Sequence, residues 1–108
     1  MNKPTRHYSG EQENRVAKDL NMKKQANSGA TTFYKGDLED DNWLIECKTK
    51  INSQKSIVVK KEMIEKLQEE MFAMGKNNWA LVISFGDGKD YFIVDKKTFK
   101  QLGGNNNV

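Results

Sequence analysis

The sequence predicts a single α/β domain in which a mixed β-sheet is flanked by helices. The chain has 108 residues, a usual length for one domain. Its apolar residues alternate between helical spacing and short strand-like runs, in the order α-β-β-β-α-β-β-α. We expect this domain to span residues 9–102, between a flexible N-terminus at residues 1–8 and a disordered tail at residues 103–108.

The first predicted element is a helix that begins at the segment SGEQ. This segment is typical of a capping box, with Ser9 as the N-cap and Gln12 reaching back to it. The helix is expected to run to about Met22, with Val16 and Leu20 on its buried face. The polar segment KKQANSGA that follows predicts a loop with a basic entrance.

The remaining elements follow from apolar runs that are bounded by turn residues. Strands are predicted at residues 31–38, 43–49, 57–59, 79–85 and 91–94. A helix is predicted at residues 61–74, where one face is apolar and Gly75 is a natural C-cap. Asp95 is expected to cap a last short helix that ends at about Leu102.

Composition excludes several classes of protein. The chain has no run of 18 apolar residues and no apolar signal segment, so we expect a cytoplasmic protein with no membrane segment. The single cysteine, Cys47, and the single histidine exclude an internal disulfide and a zinc-type site. A metal would therefore be a hard cation held by carboxylates. The net charge of +3 permits a polyanionic partner.

The segment GDLEDDNWLIECKTK places charged residues inside an apolar strand. Side chains alternate across a strand, so this run presents two faces. One face is apolar and the other carries two charges: Trp43, Ile45 and Cys47 on the first, and Leu44, Glu46 and Lys48 on the second. The first face is expected to join the core.

The turn before this strand predicts where the preceding carboxylates lie. If Asp41 and Asn42 form a two-residue hairpin turn, then Asp37 lies directly opposite Glu46. Their Cβ atoms would be about 4.5 to 5.5 Å apart, close enough for two carboxylates to bind one ion. A calcium loop is excluded, because its sixth position is Asn42 rather than glycine. The alternative is a solvated face, on which a Glu46–Lys48 ion pair contributes about 0 to 1 kcal/mol.

The order of these motifs resembles that of the PD-(D/E)XK nuclease superfamily. The similar segments are ENRVAKDL, NSGAT, KGDLE, LIECKTK, IEKL and FAMGKNNWALVI, which together span roughly residues 9–94. Within the superfamily, the chain most resembles the small Holliday junction resolvases of archaea and their phage relatives. Gly36 precedes Asp37 where the superfamily name has proline. The resemblance implies a restriction-endonuclease-like fold and metal-dependent cleavage of DNA phosphodiesters.

The resemblance also implies roles for individual residues. Glu13, Asp37 and Glu46 would bind Mg²⁺, for which Mn²⁺ would substitute, with the backbone carbonyl of Cys47 as a further ligand. Glu11, about half a turn away, is the alternative to Glu13. Ser28 matches a loop serine near the scissile phosphate. Two neighbouring carboxylates favour a charged Lys48, so we assign it to orienting the nucleophile and stabilising transition-state charge.

The implied substrate is branched double-stranded DNA, above all a four-way junction. Its phosphates would be met by Ser28 and by a set of lysines near the expected site: Lys23, Lys24, Lys50, Lys55, Lys60 and Lys61. A four-way junction has two-fold symmetry, so symmetric cleavage implies a homodimer with two sites. Phe72 points away from the apolar stripe of its helix and would cover a subunit interface or an overlying loop.

Three other functions stay open at the level of the sequence. The first is a nuclease of this fold that acts on other branched or nicked DNA. The second is a non-catalytic DNA-binding module, against which the intact acidic set and lysine argue. The third is a small interaction protein in which the E-x-K motif has arisen by chance.

Overall fold

The computed structural model describes residues 5–24 and 37–104, with side chains from residue 8 onward. Within these ranges the chain forms three helices and five strands, which confirms the predicted α/β class. They are α1 (Thr5–Leu20), β1 (Lys23–Lys24), β2 (Leu38–Glu39), β3 (Trp43–Thr49), α2 (Lys61–Ala73), β4 (Asn78–Ser84), β5 (Tyr91–Ile93) and α3 (Lys96–Gln101). None of these described helices is long and apolar enough to cross a membrane.

The five strands form one mixed sheet in the order β1-β2-β3-β4-β5. Strands β3 and β4 are parallel, and the other three neighbouring pairs are antiparallel. Because a parallel connection must cross over the sheet, α2 covers one face between β3 and β4. The other face carries α1, which contacts β3. The sheet is therefore covered by a helix on each face.

The hairpin between β2 and β3 has the register that the sequence predicts. Leu38 pairs with Ile45, and Glu39 pairs with Leu44. Asp40 holds the turn, because its Oδ1 accepts the backbone N–H groups of the second and third residues after it, at 2.8 Å each. The acidic cluster in the turn thus contributes a side chain that shapes the hairpin.

Two apolar clusters, one on each face of the sheet, make up the core. The cluster under α1 contains Val16, Leu38, Ile45, Ala80 and Val82. The cluster under α2 contains Leu44, Leu67, Trp79 and Leu81. Strand β4 contributes to both clusters, which agrees with its prediction as a strand buried on both faces. Ile45 and Leu44 likewise face opposite clusters, as the alternation along β3 predicts.

The start of α1 differs from the sequence prediction. The helix begins at Thr5, so Ser9 lies inside the helix and is not its N-cap. The segment SGEQ is therefore not a capping box in this fold, and residues 5–8 belong to the helix. Gln12, which was expected to reach back to Ser9, is 1% exposed and faces the sheet instead. The tertiary contacts of Gln12 outweigh the local capping signal.

The end of α1 also corrects one core assignment. Val16 is buried as predicted, at 2% exposure, but Leu20 is 39% exposed and does not anchor the helix. The helix ends at Leu20 because Asn21 adopts a positive φ of 54°. The N–H of Met22 then donates to the carbonyl of Ala17 at 2.9 Å, which closes the last turn.

Two other predicted elements are wrong, whereas β3, β4, β5, α2 and α3 agree with the prediction to within one residue at each end. Residues 57–59 form no strand, and Val58 is 62% exposed. The basic start of the predicted loop forms β1, which pairs with β2. Of the strand predicted at 31–38, residues 31–36 lie outside the described part of the chain. Asp95 caps α3 as predicted, since its Oδ1 accepts the Thr98 N–H at 2.8 Å.

Candidate active site

Asp37 is tied to the part of β3 that carries the E-x-K motif. Its backbone N–H donates to the carbonyl of Ile45 at 2.8 Å. Its carboxylate Oδ2 accepts the backbone N–H of Cys47 at 2.7 Å. Because the Cys47 amide directly follows Glu46, this bond brings the Asp37 carboxylate close to Glu46, whose pKa it raises. The predicted juxtaposition thus follows from the register of the hairpin.

Glu46 lies in an environment that disfavours its charged form. Burial, followed by the charges of Asp37 and Glu70, raises the pKa of Glu46 from 4.5 to about 8, while Lys66 opposes the rise. The group therefore holds a proton at neutral pH in the absence of a cation. A divalent cation would displace this proton and remove the repulsion among the carboxylates.

Glu13 belongs to the same electrostatic neighbourhood. Burial and the charge of Asp37 raise the pKa of Glu13, and Lys24 opposes this effect. The Nζ of Lys24 lies 3.8 Å from the Glu13 Oε1. Glu11, the alternative on the same helix, is exposed. The structure therefore favours Glu13 over Glu11 as the α1 carboxylate nearest to Asp37.

The carboxylates do not form a closed cage. Among residues 5–24 and 37–104, no three histidine, cysteine, aspartate or glutamate side chains converge closely enough to hold a metal ion. Asp37 and Glu46, which lie across one hairpin, fit a cation that takes one or two carboxylates and completes its shell with water and phosphate oxygens. Mg²⁺ usually binds in this way.

Cys47 contributes its backbone rather than its thiol. Burial, together with the charges of Asp37, Glu13 and Glu46, raises the pKa of the Cys47 thiol well above its usual value. The thiol is therefore neutral and is neither a nucleophile nor a thiolate ligand at physiological pH. The Cys47 N–H holds Asp37, whereas its carbonyl stays a predicted ligand.

Lys48 lies on the same face of β3 as Glu46 and extends toward the first turn of α2. Its Nζ is 3.7 Å from the Sδ of Met63. The backbone N–H of Lys60 contacts the same sulfur at 3.4 Å. Lys60 and Lys61 therefore lie at the end of α2 where the Lys48 ammonium is found.

The predicted phosphate-binding lysines fall into two groups on either side of the E-x-K segment. Lys23 and Lys24 are exposed on the edge strand β1. The second group follows β3 and leads into α2: Lys50, Lys55, Lys60 and Lys61. In this group Lys50 is half-buried and the other three are exposed. Ser28 lies outside the described residues.

Two α2 residues near Glu46 were missed by the sequence prediction. Glu70 raises and Lys66 lowers the pKa of Glu46, so both residues act on the site from the face of the sheet that α2 covers. Helical spacing could have found them. Lys66 and Glu70 lie three and seven residues after Met63, which places them along the face that α2 turns toward β3.

A buried polar network on the opposite face was also missed. The Nε2 of Gln12 lies 3.2 Å from the carbonyl of Lys48 and 3.3 Å from that of Val82. It also lies 3.4 Å from the Oδ1 of Asp90, which forms a bidentate pair with Arg15. The available signal was the position of Gln12, four residues before the buried Val16 on one helix face.

The fold and this site together define an α/β protein with a carboxylate and a lysine on strand β3 of a mixed sheet and a second carboxylate directly before β2. Comparisons of the chain with protein-family models, with curated proteins and with solved structures find no match. The chemistry open to the protein is therefore inferred from its own side chains.

Proposed function

We propose that this protein is a metal-dependent, structure-selective DNA endonuclease of the PD-(D/E)XK superfamily, with a restriction-endonuclease-like fold, and that it acts as a Holliday junction resolvase. The observation that carries this proposal is the 2.7 Å hydrogen bond from the Cys47 N–H to Asp37. It joins the aspartate to the strand segment that bears Glu46 and Lys48. A D…E-x-K site would need its aspartate next to this segment, which is why the bond supports the proposal.

The electrostatics of the site support a role for a divalent cation. Burial and then the charge of Asp37 raise the pKa of Glu46, with a smaller contribution from Glu13, and burial raises the pKa of Asp37 itself. Carboxylates gathered in this way repel one another unless a cation or protons compensate. When bound by these carboxylates, Mg²⁺ would polarise the phosphoryl oxygen and lower the pKa of a bound water.

Lys48 is proposed to bind and orient the groups that react. Its ammonium lies at the half-buried end of β3, on the face that carries Glu46. A cation at this position would orient the nucleophilic water and stabilise the negative charge that builds up on the phosphoryl oxygens. Glu13 would add a third carboxylate from α1, although the three do not converge among the described residues, and Ser28 would lie near the scissile phosphate.

The two lysine groups support a duplex substrate that is recognised through its backbone. Phosphate contacts by Lys23 and Lys24 on one side, and by Lys60 and Lys61 on the other, position a nucleic acid without reading its bases. Such recognition suits a branched DNA, whose shape differs from that of linear duplex. We propose that the protein meets this substrate in the cytoplasm, which is the host cytoplasm if a phage encodes it.

A homodimer is proposed because a four-way junction needs two symmetric cuts. Phe72 supports an interface on the outer face of α2, since its side chain is 84% exposed whereas Leu67 on the inner face is 2% exposed. Within the described residues, no loop packs over Phe72 and buries it. A large exposed aromatic residue is typical of interface centres.

The decisive experiment is cleavage of a synthetic four-way junction with and without Mg²⁺. We expect the wild type to cut symmetrically only with the metal, and Asp37→Asn to lose cleavage. Asp41→Asn, which removes an exposed acidic charge in the same hairpin, is the matched control and should cleave normally. A wild type that cuts no DNA would reject the proposal.

Two further results of the same assay would redirect the proposal rather than support it. Cleavage of flaps or nicked duplex in preference to junctions would indicate a nuclease with another branched substrate. Tight junction binding with no cleavage under any metal condition would indicate a non-catalytic DNA-binding module.

A further inference from the structure

A glutamine amide lies in the core between α1 and the sheet. Gln12 is 1% exposed, and its Nε2 is within 3.2 Å of the Lys48 carbonyl and 3.3 Å of the Val82 carbonyl. These carbonyls belong to the parallel strands β3 and β4. Because a carbonyl oxygen has two lone pairs, each can accept this side chain in addition to its sheet partner. Gln12 therefore fixes the distance of α1 from the sheet where β3 and β4 lie side by side.

Gln12 is itself held by an ion pair that closes the network. Asp90 Oδ1 lies 3.4 Å from Gln12 Nε2 and 2.8 Å from Arg15 Nη2, and Asp90 Oδ2 lies 2.7 Å from Arg15 Nε. A bidentate pair of this kind fixes orientation as well as distance. Asp90 directly precedes β5, so the network joins α1, β3, β4 and the start of β5.

A glutamine at this core position costs free energy of folding. The Oε1 of Gln12 is buried and has no hydrogen-bond partner among the described residues. An apolar side chain of the same size would leave no such atom unsatisfied. Packing alone therefore does not account for a glutamine here, whereas a requirement for a fixed geometry between α1 and β3 does.

We infer that Gln12 is a positioning residue for the active site, and this inference rests on the proposed nuclease function. Gln12 directly precedes Glu13 on α1, and its amide binds the carbonyl of Lys48 on β3. The one side chain thus sets the separation between the helix carboxylate and the strand that bears Glu46 and Lys48. Residues that orient metal ligands in this way usually alter metal affinity or turnover about 10- to 100-fold when they are replaced.

The test compares Gln12→Met, which keeps size but removes the donor, with Val16→Ala on the same buried face of α1. Gln12→Met should reduce kcat on a four-way junction by about 10- to 100-fold and leave KM unchanged. It should also weaken Mn²⁺ binding, measured by calorimetry without DNA, by about 10-fold. Val16→Ala should lower the melting temperature while kcat and Mn²⁺ affinity stay at the wild-type values.

Each outcome decides the inference. A Gln12→Met variant that only melts earlier, like Val16→Ala, would show a structural role and overturn it. A wild type that cleaves no DNA would remove the proposed function and the inference with it, whereas an active wild type with an equally active variant removes the inference alone.

If Gln12→Met does not fold, Asp90→Asn takes its place. It removes the charge that holds Gln12 and Arg15, and it should lower kcat with KM unchanged; wild-type kcat would overturn the inference.

Discussion

Glu46 makes the stability of this protein depend on pH in a way that a single substitution removes. In the folded chain its pKa lies near 8 instead of 4.5, because of burial and the charges of Asp37 and Glu70. The folded state therefore binds more protons than the unfolded state between these pH values, and stability falls as pH rises through that window. Glu46→Gln has no proton to lose, so the variant should escape this loss.

The size of the effect follows from the difference between the two pKa values. A difference of about 3.5 corresponds to about 5 kcal/mol, at 1.36 kcal/mol for each pH unit. Below pH 4.5 the pH-dependent part of the stability difference between the two proteins should vanish. Above pH 8 the Glu46→Gln variant should be more stable by up to about 5 kcal/mol. At this chain length each kcal/mol raises the melting temperature by about 4 °C.

The assay is chemical denaturation of both proteins at pH 5, 7 and 9, with EDTA present throughout. Glu69→Gln, an exposed glutamate on α2, is the matched control and should follow the wild type at every pH. A stability difference between Glu46→Gln and wild type that stays constant from pH 5 to pH 9 would refute the reasoning.

The same variant separates the carboxylate site from the rest of the fold when metal is added. Mg²⁺ or Mn²⁺ should stabilise the wild type most at high pH, where Glu46 is ionised and ready to bind a cation. The Glu46→Gln variant should gain little, because it lacks one of the two apposed carboxylates. Equal stabilisation of both proteins by metal would show that the cation binds elsewhere.

Three further predictions test other parts of the molecule. Lys48→Ala should abolish cleavage and preserve junction binding in a gel-shift assay; retained cleavage would reject its role in the reaction. Phe72→Asp should convert a dimer into monomers in analytical ultracentrifugation, and an unchanged dimer would place the interface elsewhere. Gly86→Ala should destabilise far beyond the roughly 1 to 2 kcal/mol expected for Gly88→Ala in urea denaturation. Both glycines have positive φ, but only at Gly86 would a methyl group overlap the Asn52 carbonyl, so equal losses would contradict this account.

The part of the site on the β2–β3 hairpin could be predicted because its determinants are local. A two-residue turn and the alternation of side chains fix the register, and the register alone places Asp37 opposite Glu46. The observed pairs Leu38–Ile45 and Glu39–Leu44 confirm that count. No long-range contact has to be known for this deduction, which is why the predicted register is correct.

The elements that were predicted wrongly depend on contacts between distant segments. Residues 57–59 are apolar and β-branched, but they form no strand, and Val59 packs against the α2 cluster instead. Gln12 reads as a capping residue until α1 is docked on β3 and β4, where its amide meets two strand carbonyls. In both cases the local sequence pattern favoured one structure, and contacts with distant segments produced another.

Strand β3 shows how a fold can hold charges that repel one another. Its first half is anchored, with Leu44 and Ile45 at 0% and 1% exposure in opposite clusters. Its second half, from Glu46 to Thr49, is only half-buried, so the charged groups lie where the strand emerges from the core. Burial of the first half offsets the cost of the second and leaves Glu46 and Lys48 within reach of solvent. The proposed nuclease site, which would act on a large polyanion, needs this combination of a rigid strand and an accessible end.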